Sequence, residues 1–154
     1  MLFLNRICSA LADKGIRYAI VGGHAVALHG AVRGTVDIDI ALAWNFRSLQ
    51  ATEQALQDIG LVSRLPISAE DVFEFRDEYA QKRNLIAWNF YNPDNITEQV
   101  DIIITYDLKG RKVKKIETSG GIVRILNRKD LIEMKRASGR PQDLEDIKAL
   151  RKLT

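Results

Sequence analysis

The chain has 154 residues, of which 46% are hydrophobic and 28% charged, with a formal net charge of +3 and a single cysteine. That composition excludes disordered, collagen-like and coiled-coil classes, and the length suits one domain, 1–154, with a core of its own. No apolar run approaches the roughly 20 residues that span a bilayer. The lone Cys8 permits no internal disulfide, which fits a reducing cytoplasm.

The N-terminal segment lacks a basic start and a small-residue cleavage site, so it reads as structure rather than a signal peptide. Residues 2–13 are predicted to form a helix, with Leu4, Ile7, Cys8 and Leu11 at i, i+3, i+4 and i+7. Gly15 follows as its C′ residue. Arg17 to Val21 is a short apolar strand broken by Gly22-Gly23, and Ala25 to His29 is a short helix closed by Gly30. Val36 to Leu42 alternates, with Val36, Ile38 and Ile40 on one face and Asp37 and Asp39 on the other, as a half-buried strand does. Ser48 to Ile59 is helical, and Ser68 with Asp71 caps a third long helix that runs to residues 81–84.

Residues 84–91 and 98–105 are strands, and Asn92-Pro93-Asp94-Asn95 between them signals a hairpin turn. A second hairpin joins 114–118 to 122–126 around Ser119-Gly120-Gly121. Asn127 caps the next helix, with Asp130 three residues on, and Pro141 stands near the start of a last helix that is acidic early and basic late. Strands and helices do not alternate regularly. The predicted fold is therefore a mixed β-sheet flanked by helices, an α/β (α+β) architecture, rather than a doubly wound parallel sheet.

The informative stretch is Ile20 to Leu42, IVGGHAVALHGAVRGTVDIDIAL. A strand ending in Gly-Gly lets backbone approach a ligand closely, and the helix behind it offers free N–H groups to phosphate. Asp37 and Asp39 share one side of their strand, about 7 Å apart from a rise of ~3.4 Å per residue. Two such carboxylates suit a hard cation whose coordination is completed by substrate phosphates. Asp101 opens the apolar run VDIIIT, where a buried carboxylate is costly unless paired or bound to metal. A neighbouring strand would bring it beside Asp37 and Asp39.

Gly22-Gly23, a gap of 13 residues (24–36), then Asp37-Ile38-Asp39 and a later Asp101 resemble the nucleotidyltransferase superfamily of the DNA polymerase β type. Arg33-Gly34-Thr35, the segment from Phe90 to Asp101, Lys135 and the run from Arg140 to Ile147 extend the likeness to stand-alone minimal members near the abortive-infection toxins of the AbiEii type. The resemblance implies a nucleotidyltransferase-like fold and a Mg²⁺- or Mn²⁺-dependent transfer of a nucleoside monophosphate from a nucleoside triphosphate to an acceptor hydroxyl. It implies metal ligation by Asp37, Asp39 and Asp101, with Asp101 nearest the attacking hydroxyl. Gly22 and Gly23 would cradle the phosphates, Arg33 and Thr35 would shape the loop before the metals, and Lys135 would neutralise the triphosphate. Where many members carry a serine after the first glycine, this chain has Gly23.

Expected partners are the triphosphate and an acceptor RNA, tRNA or protein, with a cognate antitoxin or second subunit, in the cytoplasm and away from membranes. An aminoglycoside or lincosamide acceptor, or a non-catalytic nucleotide- or partner-binding module of the same fold, are the alternatives. Charge is uneven: residues 1–108 carry 9 Lys and Arg against 14 Asp and Glu, residues 109–154 carry 14 against 6, hence −5 and +8. The run Lys109, Arg111, Lys112, Lys114, Lys115 reads as an RNA contact or as an exposed hairpin. His24 and His29, five apart, do not form a helical metal pair. Cys8 reads as core, and the aromatics Trp44, Trp88, Phe90 and Tyr91 read as a platform for a base or, more commonly for aromatics at strand ends, as core.

Overall fold

The computed structural model describes residues 2–31 and 37–153. Its elements are α1 (Phe3–Asp13), β1 (Tyr18–Val21), α2 (Gly22–Leu28), β2 (Ile38–Leu42), α3 (Phe46–Asp58), β3 (Val62–Ser63), α4 (Ala69–Glu74), α5 (Arg76–Lys82), β4 (Ala87–Asn92), β5 (Asn95–Ile103), β6 (Val113–Thr118), β7 (Gly121–Leu126), α6 (Arg128–Ser138) and α7 (Pro141–Arg151). The strands form one mixed sheet in the order β3-β4-β5-β2-β1-β7-β6. β1 lies antiparallel to β2 and parallel to β7, while β2 lies parallel to β5. This is the mixed, helix-flanked sheet expected from the irregular order of elements. Among the described residues no helix is long and apolar enough to cross a membrane.

The central strands are held by side chains that never meet water. Ile20, Ile38, Ile40, Val100, Ile102, Trp88 and Phe90 are all within 1% of full burial. Trp88 and Phe90 pack ring to ring at 4.6 Å, and the indole N–H of Trp88 donates to Ser63 Oγ at 2.8 Å. Each fully buried side chain of this size contributes about 1.5–3 kcal/mol relative to exposure. Because side chains alternate across a strand, this apolar face obliges the intervening residues to face the other way. Asp39, Asp101 and Asn89 are those intervening residues.

Several local expectations differ from the structure: α3 starts at Phe46 behind an Asn45 cap rather than at Ser48, β5 runs Asn95–Ile103 rather than 98–105, and Val36 of the expected 36–42 strand lies outside the described residues. The third helix breaks at Phe75 into α4 and α5, where the backbone leaves helical geometry (φ −108°, ψ 23°). The two-residue β3 escaped notice because so short a strand carries no periodicity; it pairs Val62 with Tyr91 and Ser63 with Phe90. α2 starts at Gly22 itself, so the Gly-Gly pair is its first turn rather than a break before it. The caps are as expected: Ser68 and Asp71 form a capping box, and the Asn127 side chain accepts from the Asp130 N–H at 2.9 Å.

α6 ends at Gly139 in the left-handed region (φ 65°), and α7 turns back from Pro141. The two helices are joined by charge. Lys135, only 6% exposed, lies 2.8 Å from Asp146 Oδ2 and 3.5 Å from Asp143 Oδ1, and both carboxylates are buried. Removing one partner of a buried ionic cluster strands the others and costs about 3–5 kcal/mol. Lys135→Met is therefore expected to lose that order of stability in urea denaturation. A lysine that served only an absent phosphate would lose almost none.

Candidate nucleotide site

The strand registers assemble a row across the sheet. Val21 of β1 pairs with Asp39 of β2, Asp39 with Asp101 of β5, and Asp101 with Asn89 of β4. Directly paired residues share a face, and adjacent strands stand about 4.8 Å apart. Asp39 and Asp101 are thereby fixed as neighbours by backbone hydrogen bonding. Asp37 sits just before β2 and is exposed, so it stands at the mouth of the row rather than within it.

Asp39 carries the electrostatic cost. Burial and the neighbouring carboxylates of Asp101 and Asp37, together with a hydrogen bond to Asp101, push its carboxyl up to about 7, against a partial offset from the Lys135 ammonium. Desolvation and like charge both disfavour the anion. The Asn89 amide donates to Asp101 Oδ1 at 2.8 Å and to Gln99 Oε1 at 3.3 Å. Arg64 Nε in turn donates to Asn89 Oδ1 at 2.8 Å, and its guanidinium stacks 4.5 Å over the Tyr91 ring. That chain fixes which way the Asn89 amide faces. Sequence reasoning passed over Asn89 and Arg64, since only the β4–β5 register shows that they reach Asp101.

Gly22 follows Val21 with φ +65°, and a Cβ built on it would overlap the Asp39 carboxylate. Only glycine satisfies both the backbone conformation and that close approach. Gly23 is buried within the first turn of α2. Arg33 and Thr35 lie outside the described residues.

A cleft of about 540 Å³ opens beside Asp39. Val21, Gly22 and Asp39 form one end; Ile103, Leu131 and Met134 give an apolar wall; Lys135, Arg140 and Asp143 bring in α6 and α7. Lys135 thus stands in the same cleft as Asp39, with its ammonium held by Asp143 and Asp146. Arg140, which the sequence reading gave no role, is the more exposed cation. Its Nε bonds Asp143 Oδ2 at 2.8 Å, and the Asp39 charge acts on it. Burial alone would raise the Asp143 carboxyl, but hydrogen bonds from Arg140 and Ser138 outweigh it and hold the group down at about 2.

Among the described residues no three His, Cys, Asp or Glu side chains are gathered into a ready-made metal cage. Mg²⁺ does not need one, because it is commonly held by one or two carboxylates and completed by water and substrate phosphates. Asp39 and Asp101 offer that hard donor pair, and the burial and like charge that raise the Asp39 carboxyl are what a bound cation would offset. The residues present fit a cation that arrives with a phosphate ligand.

The chain matches, over residues 5–152, the family described as "Nucleotidyltransferase of unknown function (DUF6036)". It belongs to that family, and is a nucleotidyltransferase of the superfamily its motif resembles. No curated protein sequence matches it. Among solved structures it is similar to the lincosamide antibiotic adenylyltransferase LnuA in its lincomycin-bound form, at 16% identity, over 99% of this chain and 96% of that one, with a TM-score of 0.63. An antigenic nucleotidyltransferase-like protein from Paracoccidioides brasiliensis matches at 17% identity over 96% of this chain and 72% of that one, TM-score 0.61. ANT(2″)-Ia in complex with adenylyl-2″-tobramycin matches at 14% identity over 96% and 84%, TM-score 0.59. At such identities the likeness is one of fold.

The raised Asp39 carboxyl sets a testable pH dependence. Its folded-state value lies above the unfolded value of 3.8, so the metal-free fold gains most from this group in acid. Stability should fall as pH rises from about 4 to about 7. Asp39→Asn removes the repulsion and is expected to raise the melting temperature at pH 8 by a few degrees, on a scale of about 2–4 °C per kcal/mol. The gain should vanish near pH 4, as differential scanning calorimetry at the two pH values would show.

Proposed function

We propose that the protein transfers a nucleoside monophosphate from a nucleoside triphosphate to an acceptor hydroxyl, with Asp39, Asp101 and Asp37 holding Mg²⁺ or Mn²⁺. The observation that carries this reading is the register that opposes Asp39 and Asp101 beside a glycine-floored cleft. The cation, when bound, supplies positive charge to the phosphates and lowers the barrier to displacement. Gly22 and Gly23 keep the α2 turn bare of side chains so that phosphate can approach its N–H groups. Arg140, at the start of α7, adds a guanidinium to the cleft that Asp39 lines. Lys135 acts on the same charges from behind, as a fixed positive centre that also holds α7 in place.

The acceptor oxygen attacks the α-phosphorus, a new P–O bond forms as the bond to the β-phosphate oxygen breaks, and pyrophosphate leaves with the electron pair. Asp101, oriented by Asn89, takes the hydroxyl proton. Arg33 and Thr35 are proposed to shape the loop ahead of Asp37. The acceptor we favour is an RNA end, tRNA included, or a protein side chain, as in the toxin-type members the motifs resemble, with a cognate antitoxin or second subunit as regulator. A small-molecule acceptor, an aminoglycoside or lincosamide, is the second reading, supported by the near end-to-end match to a lincosamide adenylyltransferase.

Incubation with each α-³²P-labelled nucleoside triphosphate, Mg²⁺ or Mn²⁺, and separate RNA, protein and antibiotic pools tests the proposal. Label should move to one acceptor class with the wild type and fall at least ~100-fold with Asp101→Asn, the scale of a lost catalytic proton acceptor. Nucleotide binding without transfer in any pool would identify a non-catalytic binding module instead.

A further inference from the structure

A second concavity, about 750 Å³, lies on the β6 side of the sheet. Five of its lining residues are Arg17, Arg111, Lys112, Lys115 and Arg124, and no carboxylate lines it. They come from separate parts of the chain: the turn before β1, the loop before β6, β6 itself and β7. Lysine on an edge strand has an ordinary use in blocking strand addition, and β6 is such an edge. That use explains Lys114 or Lys115 but not Arg17 and Arg124 converging from elsewhere.

The register adds a second observation. Lys115 and Arg124 are direct cross-strand partners. Like charges placed opposite one another destabilise a sheet. Among the described residues neither makes an ion pair that would relieve it; Arg124 rests 5.9 Å over the Tyr18 ring. Lys112, also exposed, has no ion pair among the described residues either. By contrast, Lys135 and Arg140, the cations of the Asp39 cleft on α6 and α7, are each matched to a carboxylate within 4 Å. The fold therefore tolerates a directly opposed cation pair, Lys115 and Arg124, within a groove.

The groove also has a direction. Arg111 lines both this concavity and the cleft that holds Asp39. Its guanidinium lies 3.4 Å from Asp130 and 5.9 Å from the Tyr106 ring centroid, while its carbonyl accepts from Arg17. It is thus the hinge post between a cationic track and the candidate active cleft.

We propose that this groove is the docking track for an RNA acceptor, whose phosphodiester backbone lies along Lys112, Lys115, Arg124 and Arg17 and whose terminal hydroxyl passes Arg111 towards Asp39 and Asp101. The proposal rests on the nucleotidyltransferase reading above and names its acceptor. A repeating anion suits cations drawn from separate segments of the chain, and counterion release then supplies the affinity.

The test uses fluorescein-labelled tRNA and the full-length protein, wild type against Lys112→Gln/Lys115→Gln/Arg124→Gln, in fluorescence anisotropy across a salt series. Binding of a Mg²⁺·non-hydrolysable triphosphate is measured separately by calorimetry. The triple variant should bind tRNA about tenfold or more weakly, with a log–log salt slope shallower by about 2, as the loss of three phosphate contacts implies. Its triphosphate binding should be unchanged and its melting temperature equal or higher, because the Lys115–Arg124 repulsion is gone. Equal tRNA binding by the two proteins, or binding to phosphatidylserine vesicles with none to tRNA, would overturn the proposal. Failure of the transferase reading would show instead as absent triphosphate binding in the wild type, with the tRNA comparison intact.

Discussion

Two carboxylates opposed across a parallel strand pair repel one another, and the sheet gives Asp39 and Asp101 no freedom to separate. A slip of β5 by one residue would relieve the repulsion. It would also turn Val100 and Ile102 from the core to the other face, together with the packing of Ile38, Ile40, Trp88 and Phe90. The apolar side of the sheet thus enforces the electrostatic strain on its polar side. Strain of this kind is tolerated where it prepares a site for a counter-charge, and burial with the facing carboxylates pushes the Asp39 carboxyl up to about 7.

The surroundings are consistent with that purpose. Gly22 leaves room for the Asp39 carboxylate where any side chain would collide with it. Asn89 steadies Asp101 and is itself steadied by Arg64. Buried Lys135 ties α6 to α7 through Asp143 and Asp146, and Arg140 lines the same cleft. The lysine's shown task is thus to hold two helices together, and its charge also acts on Asp39. Positive charge is layered around the pair: fixed and buried at Lys135, exposed at Arg140, and diffuse along the groove beyond Arg111.

The sequence was most legible where local rules act. Alternation in Val36 to Leu42 and the apolar run after Asp101 gave the central strands, and Ser68 and Asn127 gave helix starts, because capping and side-chain period are properties of a few neighbouring residues. The family resemblance grouped Asp37, Asp39 and Asp101 before any register was visible, and the register opposes Asp39 and Asp101 while Asp37 lies just before β2. What escaped was set by tertiary pairing. β3 exists only because β4 offers it an edge, and α4 and α5 part at Phe75 without a glycine or proline to announce it. Asn89, Arg64 and Arg140 acquire meaning only from the strands and helices placed beside them. Lys135 was visible as a cation near the end of the chain, but its buried partners one helix away were not. Arg17 and Arg124, far apart in sequence, likewise join the basic run only in the folded chain.

The proposed nucleotide site stands or falls with whether Asp39 and Asp101 form one strained pair that a phosphate-borne cation relieves. The direct measurement is the ¹³C carboxyl titration of Asp39 by NMR, in metal-free protein and again with Mg²⁺ and a non-hydrolysable nucleoside triphosphate. The expected result is a midpoint near 7 without ligand, raised by burial and the facing carboxylates, and a shift to well below 5 when the cation and phosphates bind, since a bound cation favours the anion. A midpoint near 4 in both states, the ordinary value of an aspartate, would contradict the strained pair and the nucleotide site built upon it.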